Sequence, residues 1–455
     1  MALHHAISYT VQHLGDLATR HDFWCINVPR TSHGVSAVRH ALVALGAAHW
    51  SFLSRQSLVL HSSREQQCLG LFLKHYNLAI RHLGPSMANA APQDMKTILM
   101  CCLIFICVEN MRGRYEEALR HLKAGLRLLI SLRPTSRVAT LRHWGVCGTD
   151  TRQDVTDNIP QDDELNSLAL LFSRLALDTS VLTDGDVVSH LEMLGQPESI
   201  QFPVSSGSPT PFPTAAAARD ELHRFEIFHD IYYERVFQKN APNTDGPLEF
   251  DQEDKDIYRM LYHQYQWWRV CFDLYVETRR NSATPEEKDL IAKLRLNQLT
   301  WNALFKQDHW SLDLDPILVP GELEAIVEQA ETIACSTSTR NHPVFTFDAD
   351  IIPSLSYVGA FSDDPDLLRR LVKVLRKLKV REGPWDSDEL AEIYEGVLVA
   401  REQYGQVISG YPGGLLSVAE ALAALGLPCV KPTNSILRLS SSIKGYSIGG
   451  NIDVV

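Results

Sequence analysis

The residues with the clearest capacity for chemistry lie in SDDPDLLRR, Ser362 to Arg370, where Asp363, Asp364 and Asp366 crowd three carboxylates into four positions. Such a group can hold Mg²⁺ and, through it, a substrate phosphate, with Arg369 or Arg370 taking the phosphate charge. The same residues can also begin a helix. Pro365 has no N–H and a fixed φ, which suits the first helical position. Asp364 then falls at the N-cap and accepts from free backbone N–H groups, while Asp366 faces the positive end of the helix dipole. A metal site would need more oxygen ligands from another helix; a cap needs only what the segment contains. The expectation is a helix start with no metal. Asp363, Asp364 and Asp366 remain the residues a Mg²⁺ site would use, and Asp363 has no part in the cap.

Three other signatures of chemistry are missing: the sequence has no G-x-x-x-x-G-K-[ST] phosphate loop, no G-x-G-x-x-G and no H-E-x-x-H. Glu226 and His229 form one Glu-x-x-His pair, whereas a di-iron bundle requires two and further glutamates. Phe225, Ile227 and Phe228 around it read as packing. His49, His82 and His121 lie on amphipathic segments and read as hydrogen-bonded packing residues. Trp267 and Trp268, with Tyr262 and Tyr265, could floor an apolar pocket, but aromatics at helical spacing read first as core. In LLRRLVKVLRKLK the stripe Leu368, Leu371, Leu375 and Leu378 leaves Arg369, Arg370, Lys373, Arg376 and Lys377 mostly outside it. This is the pattern of a packed helix with a solvated outer face. No catalytic or cofactor-binding residue is assigned.

Composition narrows the class. The 455 residues are 45% apolar and 22% charged, as in an ordinary globular protein with a large core. With 43 Lys and Arg against 55 Asp and Glu the net charge is −12, which opposes direct binding of a phosphate backbone. The nine cysteines are scattered with no C-x-x-C pair, a pattern of reduced thiols in an intracellular protein. The longest apolar run, Ile98 to Val108, is too short to span a bilayer and fits a helix buried on all sides. A soluble protein of the nucleus or cytoplasm is expected, with no membrane partner.

The elements that must position these residues read as helix after helix. AVRHALVALGAAHWSFLSRQ is followed by REQQCLGLFLKHYNLAIRHLG, which should stop at Gly84-Pro85. Asp94 should open the buried helix, and the next segment should end before Pro134. Later helices run through AAAARDELHRF, DKDIYRMLYHQ, PEEKDLIAKL and GELEAIVEQA, with Thr284 capping and Pro285 in the first turn. YNLAIRHL (Tyr76 to Leu83) is echoed by YEEALRHL (Tyr115 to Leu122), a hint of helical hairpins. No strand-length alternation appears, so no sheet is needed. The fold class is all-α: a large single helical domain of stacked antiparallel hairpins over residues 1–430. Loops are expected near 145–163 and 196–214, and a polar tail over 431–455.

Several blocks, in order, resemble the regulatory domain of fungal binuclear zinc-cluster transcription factors. They include HDFWCINVPRTSHGVSAVRHALVALGAAHWSFL, HYNLAIRHLG, CCLIFICVENMRGRYEEALRHLKAGLRLL, ELNSLALLFSRLALDTS, PFPTAAAARDELHRF and FTFDADIIPSLSYVGAFSDDPDLLRRLVKVLRKLKVREGPWDS. The resemblance runs from about His21 to Ser387. It implies an all-helical fold and a regulatory role through effectors or partner proteins, often beside gene clusters for secondary metabolism, with no catalytic residues to carry over. It departs at Ala176 and Asp178, at the extra acid Asp363, and above all in the six closely spaced zinc-holding cysteines, which these 455 residues do not contain. The expectation is a transcription-factor-like regulatory protein that works through a protein partner or small-molecule effector, with no direct nucleic-acid contact, and that can self-associate. A remnant of a longer transcription factor is a further reading. The alternative from another class is a helical biosynthetic enzyme, for instance a Mg²⁺-dependent terpenoid cyclase using Asp363, Asp364 and Asp366.

Overall fold

The computed structural model describes residues 1–14, 22–54, 62–89, 92–132, 163–183, 187, 208–240, 250–306, 320–337 and 342–404, with positions 418, 422, 434 and 436. The expected loops at 145–162 and 196–207 and the tail from 431, apart from Asn434 and Ile436, lie outside the described residues. The fold is all-α. The first helical stretch comprises α1 (Ala2–His5), a π-helical turn (Ala6–Thr10) and α2 (Val11–Leu14). A second π-helical turn (Asp22–Asn27) leads into α3 (Val28–Gly34). Then follow α4 (Ser36–Ser54), α5 (Ser62–Asn89), α6 (Pro92–Met111), α7 (Tyr115–Ser131) and α8 (Asp163–Thr183). The second half holds α9 (Ala215–Asn240), α10 (Gln252–Arg279), α11 (Pro285–Lys306) and α12 (Pro320–Thr337). It ends with α13 (Ile352–Phe361), α14 (Pro365–Leu378) and α15 (Ser387–Tyr404). Among the described residues no helix is long and apolar enough to cross a membrane.

Successive helices pack as hairpins: α4 with α5, α6 with α7, α9 with α10, α11 with α12 and α14 with α15. The segment α6 is buried on every side from Leu99 to Met111, as its unbroken apolar run requires. In the two echoed octets Ala79, Leu83, Ala118 and Leu122 are buried, and the octets touch where Tyr76 Oη lies 2.8 Å from His121 Nε2. A second cluster, built on Phe225, Tyr265, Trp268, Phe272 and Trp301, joins α9, α10 and α11. Here Trp268 and Tyr265 are core, as their spacing suggests. Trp268 Nε1 donates to the Ala218 carbonyl at 2.7 Å and Tyr265 Oη to the Gln298 carbonyl at 2.9 Å.

Two expectations are corrected. The helix α5 does not stop at Gly84 but continues through Pro85 to Asn89. A proline there deprives the Arg81 carbonyl of its helical donor, but residues 81, 82, 84 and 85 are exposed, so water can serve that carbonyl. A small sheet is also present. β1 (Val344–Thr346) pairs parallel with β2 (Val380–Glu382), which pairs antiparallel with β3 (Trp385–Asp386). Strands of two or three residues are too short to show a period in sequence. Moreover β2 buries Val380, Arg381 and Glu382 together, which erases any alternation. Gly383, at φ +55°, makes the turn between β2 and β3.

Candidate functional site

The opening carboxylates are each engaged and solvent-exposed. Asp364 is the N-cap of α14, its Oδ1 accepting from Asp366 N at 2.8 Å, with Pro365 in the first turn. Asp366 pairs with Arg369 at 2.7 Å. Asp363, which capping leaves over, pairs with Arg401 of α15 at 2.7 Å. Their side chains are 73% (Asp363) and 84% (Asp366) exposed, so they face water and not an enclosed hollow. Among the described residues no group of three or more His, Cys, Asp or Glu is placed to hold a metal ion. Arg370 is committed to Glu324 and Glu331 of α12, and Arg376 to Asp388 and Glu395 of α15. The leucine stripe of α14 is buried. This basic helix is a packed one whose charges mostly meet neighbouring carboxylates.

The histidines sort as packing residues. His49 is buried against Thr10 Oγ1 at 2.9 Å and His5 Nε2 at 3.2 Å. Burial first, then His5 and His13, push its pKa down to about 3, so it is neutral at any physiological pH. His82 stacks on His40. His229 packs on Trp301 and Tyr233 at 4.6 Å between ring centroids, and its neighbour Glu226 turns elsewhere.

Glu226 belongs to a buried ionic junction. Arg174 on α8 reaches Asp178 one turn on (3.1 Å), Glu226 of α9 (3.1 Å) and Asp348 (3.7 Å). Arg219 of α9 holds Asp348 at 2.8 Å and also pairs with Asp350. Trp301 Nε1 donates to Glu226 at 3.1 Å. The Asp178 backbone carbonyl accepts from Trp385 Nε1 at 2.7 Å. Both arginines are almost fully buried. Burial pulls the Arg174 pKa down, but Asp178, Glu226 and Asp350 more than compensate and hold it above its usual range. Burial raises Glu226 despite Arg174 and Trp301.

A fifth carboxyl completes the junction. Glu382 on β2 accepts from the backbone N–H groups of Ile351 (3.0 Å) and Ile352 (2.8 Å). It thereby caps α13, whose own N-cap position, Ile351, makes no side-chain cap. Capping favours the ionised form, yet burial and then Asp350 push Glu382 up to about 8. Next to it Arg381 is buried between Asp386 and Glu389 and donates to the carbonyls of Asn110 and Met111, both at 3.0 Å. The 342–387 segment is thus tied by charge to α6, α8 and α9. None of this junction was assigned a role from sequence. The available signals were Asp348 and Asp350 alternating within FTFDADII, and Arg174 and Asp178 at i,i+4 inside an otherwise apolar helix.

Comparison with known proteins adds the following. The model of the fungal specific transcription factor domain matches residues 7–251. The aspercryptin biosynthesis cluster-specific transcription regulator atnN of Emericella nidulans is 31% identical over 121 residues, covering 27% of this chain and 19% of that protein. The aligned part therefore spans about a fifth of the relative's length. No solved structure matches the chain.

Proposed function

The chain belongs to the fungal-specific transcription factor domain family, and from that premise we propose that it is a transcription-regulating protein serving a secondary-metabolite gene cluster in the nucleus. The observation that carries this reading is the family match over residues 7–251. The name of the Emericella relative, a cluster-specific regulator, supports the link to secondary metabolism. The protein acts through a protein partner or a small effector. Its net charge of −12 supports contact through protein, because an acidic surface repels a phosphate backbone. The engagement of Asp363, Asp364 and Asp366 in a cap and ion pairs supports a structural role for that segment. The buried ionic junction keeps the segment 342–387 fixed to the helices of the matched region, so the body presents one shape to its partner.

The test is deletion of the gene, with transcripts of the neighbouring genes measured against the wild type. A fall restored by the re-introduced gene is expected, together with nuclear accumulation of a fluorescent fusion. Unchanged transcripts, alongside Mg²⁺-dependent turnover of a prenyl diphosphate by the purified protein, would replace this reading with the enzymatic one.

A further inference from the structure

We infer that the outer face of α5 docks an acidic amphipathic helix of a protein partner, an inference that rests on the regulatory reading above. Three large apolar side chains stand on this face, Leu69, Leu73 and Ile80, each 46% exposed. Their spacing of four and seven residues aligns them within one narrow stripe, three turns long or about 17 Å. Beside the stripe lie Gly70 and Gly84. A Cβ built on either would meet nothing within 4 Å, so no contact among the described residues calls for glycine at these places. Glycine is a poor helix former, and its use on an exposed helix face fits the close approach of a second backbone.

Charge identifies the occupant. From Gln66 to Pro85 the helix contains no acidic residue, although the whole chain is at −12. Lys74 and Arg81, one heptad apart, are exposed along the far side of the two glycines. They form no ion pair with any described residue, unlike Arg369, Arg370 and Arg376 of α14, which are all paired. An incoming helix with apolar residues at i, i+4 and i+7 covers the stripe, and Asp or Glu on its flank meets Lys74 and Arg81. A second copy of this chain would bring basic flank against basic flank. A lipid surface would find only three apolar side chains on a helix whose opposite face is packed.

The probe is a fluorescein-labelled helical peptide with leucines at i, i+4, i+7 and i+11 and glutamates along one flank. A control peptide carries lysines on that flank. Anisotropy is read against the full chain. Binding of the glutamate peptide is expected, with at least tenfold weakening in Leu73→Gln and in Ile80→Gln. The pair Lys74→Glu with Arg81→Glu should lose the glutamate peptide and gain the lysine peptide. These positions are exposed, so circular dichroism and melting should stay unchanged and certify the fold. Equal binding of both peptides, binding of neither, stronger binding to phosphatidylserine vesicles, or a dimer abolished by Leu73→Gln would each overturn the inference. In cells, full restoration of the neighbouring transcripts by the Leu69→Gln, Leu73→Gln, Ile80→Gln triple variant would sink the docking face and leave the regulatory reading standing. Transcripts unaffected by gene deletion would sink the regulatory reading whatever the peptides do.

Discussion

At Asp363, Asp364 and Asp366, three identical functional groups take three different roles within one turn. Asp364 serves the backbone, Asp366 pairs along its own helix and Asp363 reaches across to α15. Their energetic weights differ accordingly. Asp364→Ala should lower stability by about 1 kcal/mol, since it removes an N-cap. Asp363→Ala should change it by no more than about 0.5 kcal/mol, since the carboxylate is largely exposed and Arg401 keeps its bond to the residue 363 backbone carbonyl. Urea unfolding midpoints of the two variants check both. Glu382 tests a different balance. The folded chain keeps its carboxyl protonated up to about pH 8, whereas the unfolded chain releases that proton near 4.5. Between those values the folded state binds more protons, so raising the pH draws the equilibrium toward unfolding. Glu382→Gln keeps an acceptor for the Ile351 and Ile352 N–H groups but cannot ionise. Its stability should therefore gain on the wild type from pH 5 to pH 8, as read from urea midpoints at unit intervals; a constant difference would contradict the buried, protonated carboxyl.

At the scale of elements, the late helices are held by close approach as well as by charge. Tyr394 of α15 donates from its hydroxyl to the Ser356 carbonyl of α13 at 2.7 Å. Its ring lies so near Gly359 that a Cβ there would come within 2.5 Å of ring atoms. The tyrosine is fully buried and has nowhere to retreat without opening a void. Gly359→Ala should therefore cost about 1–3 kcal/mol through overpacking, although alanine is the better helix former. A lowered melting temperature with unchanged helical circular dichroism is the expected result. The capping of α13 follows a similar logic of supply from outside. Its first turn has no local capping side chain, and Glu382, thirty residues further along, fills that place. The strand β2 places Glu382 against the start of α13 and Arg381, its neighbour, against the carbonyls of Asn110 and Met111.

At the scale of the molecule, the family match covers residues 7–251, while Asp348, Asp350 and Glu382 lie beyond it. The ionic junction is one place where the two parts are joined, beside the ring contacts of Trp24 with Phe347 and Phe52 with Phe345. Its arginines come from the matched region and three of its carboxyls from the later one. Breaking it from the cationic side leaves charges stranded in a dry interior. Arg219→Met should thus destabilise by about 3–5 kcal/mol, because Asp348 and Asp350 lose their principal partner. Calorimetry of the variant, with simultaneous neutralisation of Asp348 and Asp350 by asparagine as a partial rescue, measures that coupling.

Much of this architecture is written locally. The helix of Ile98 to Val108 is recognisable because only a fully enclosed helix tolerates so unbroken an apolar run. The start of α14 follows from Asp-Pro-Asp, and that of α11 from Thr284 and Pro285, where Thr284 Oγ1 accepts from Glu287 N at 3.2 Å. Those signals span a few residues and depend on backbone groups every helix end exposes. The resemblance to a regulatory family likewise rested on linear blocks. By contrast, Arg174, Arg219, Glu226, Asp348, Asp350 and Glu382 are scattered over 209 positions, 174 to 382, and nothing in their spacing brings them together. The same holds for the partner of Asp363 and for the survival of α5 past Pro85. The chain order determined where helices begin and which face of each is apolar; only the tertiary structure decided which buried charges meet, because a charge in a dry interior is tolerable only where its counter-ion arrives from elsewhere in the fold.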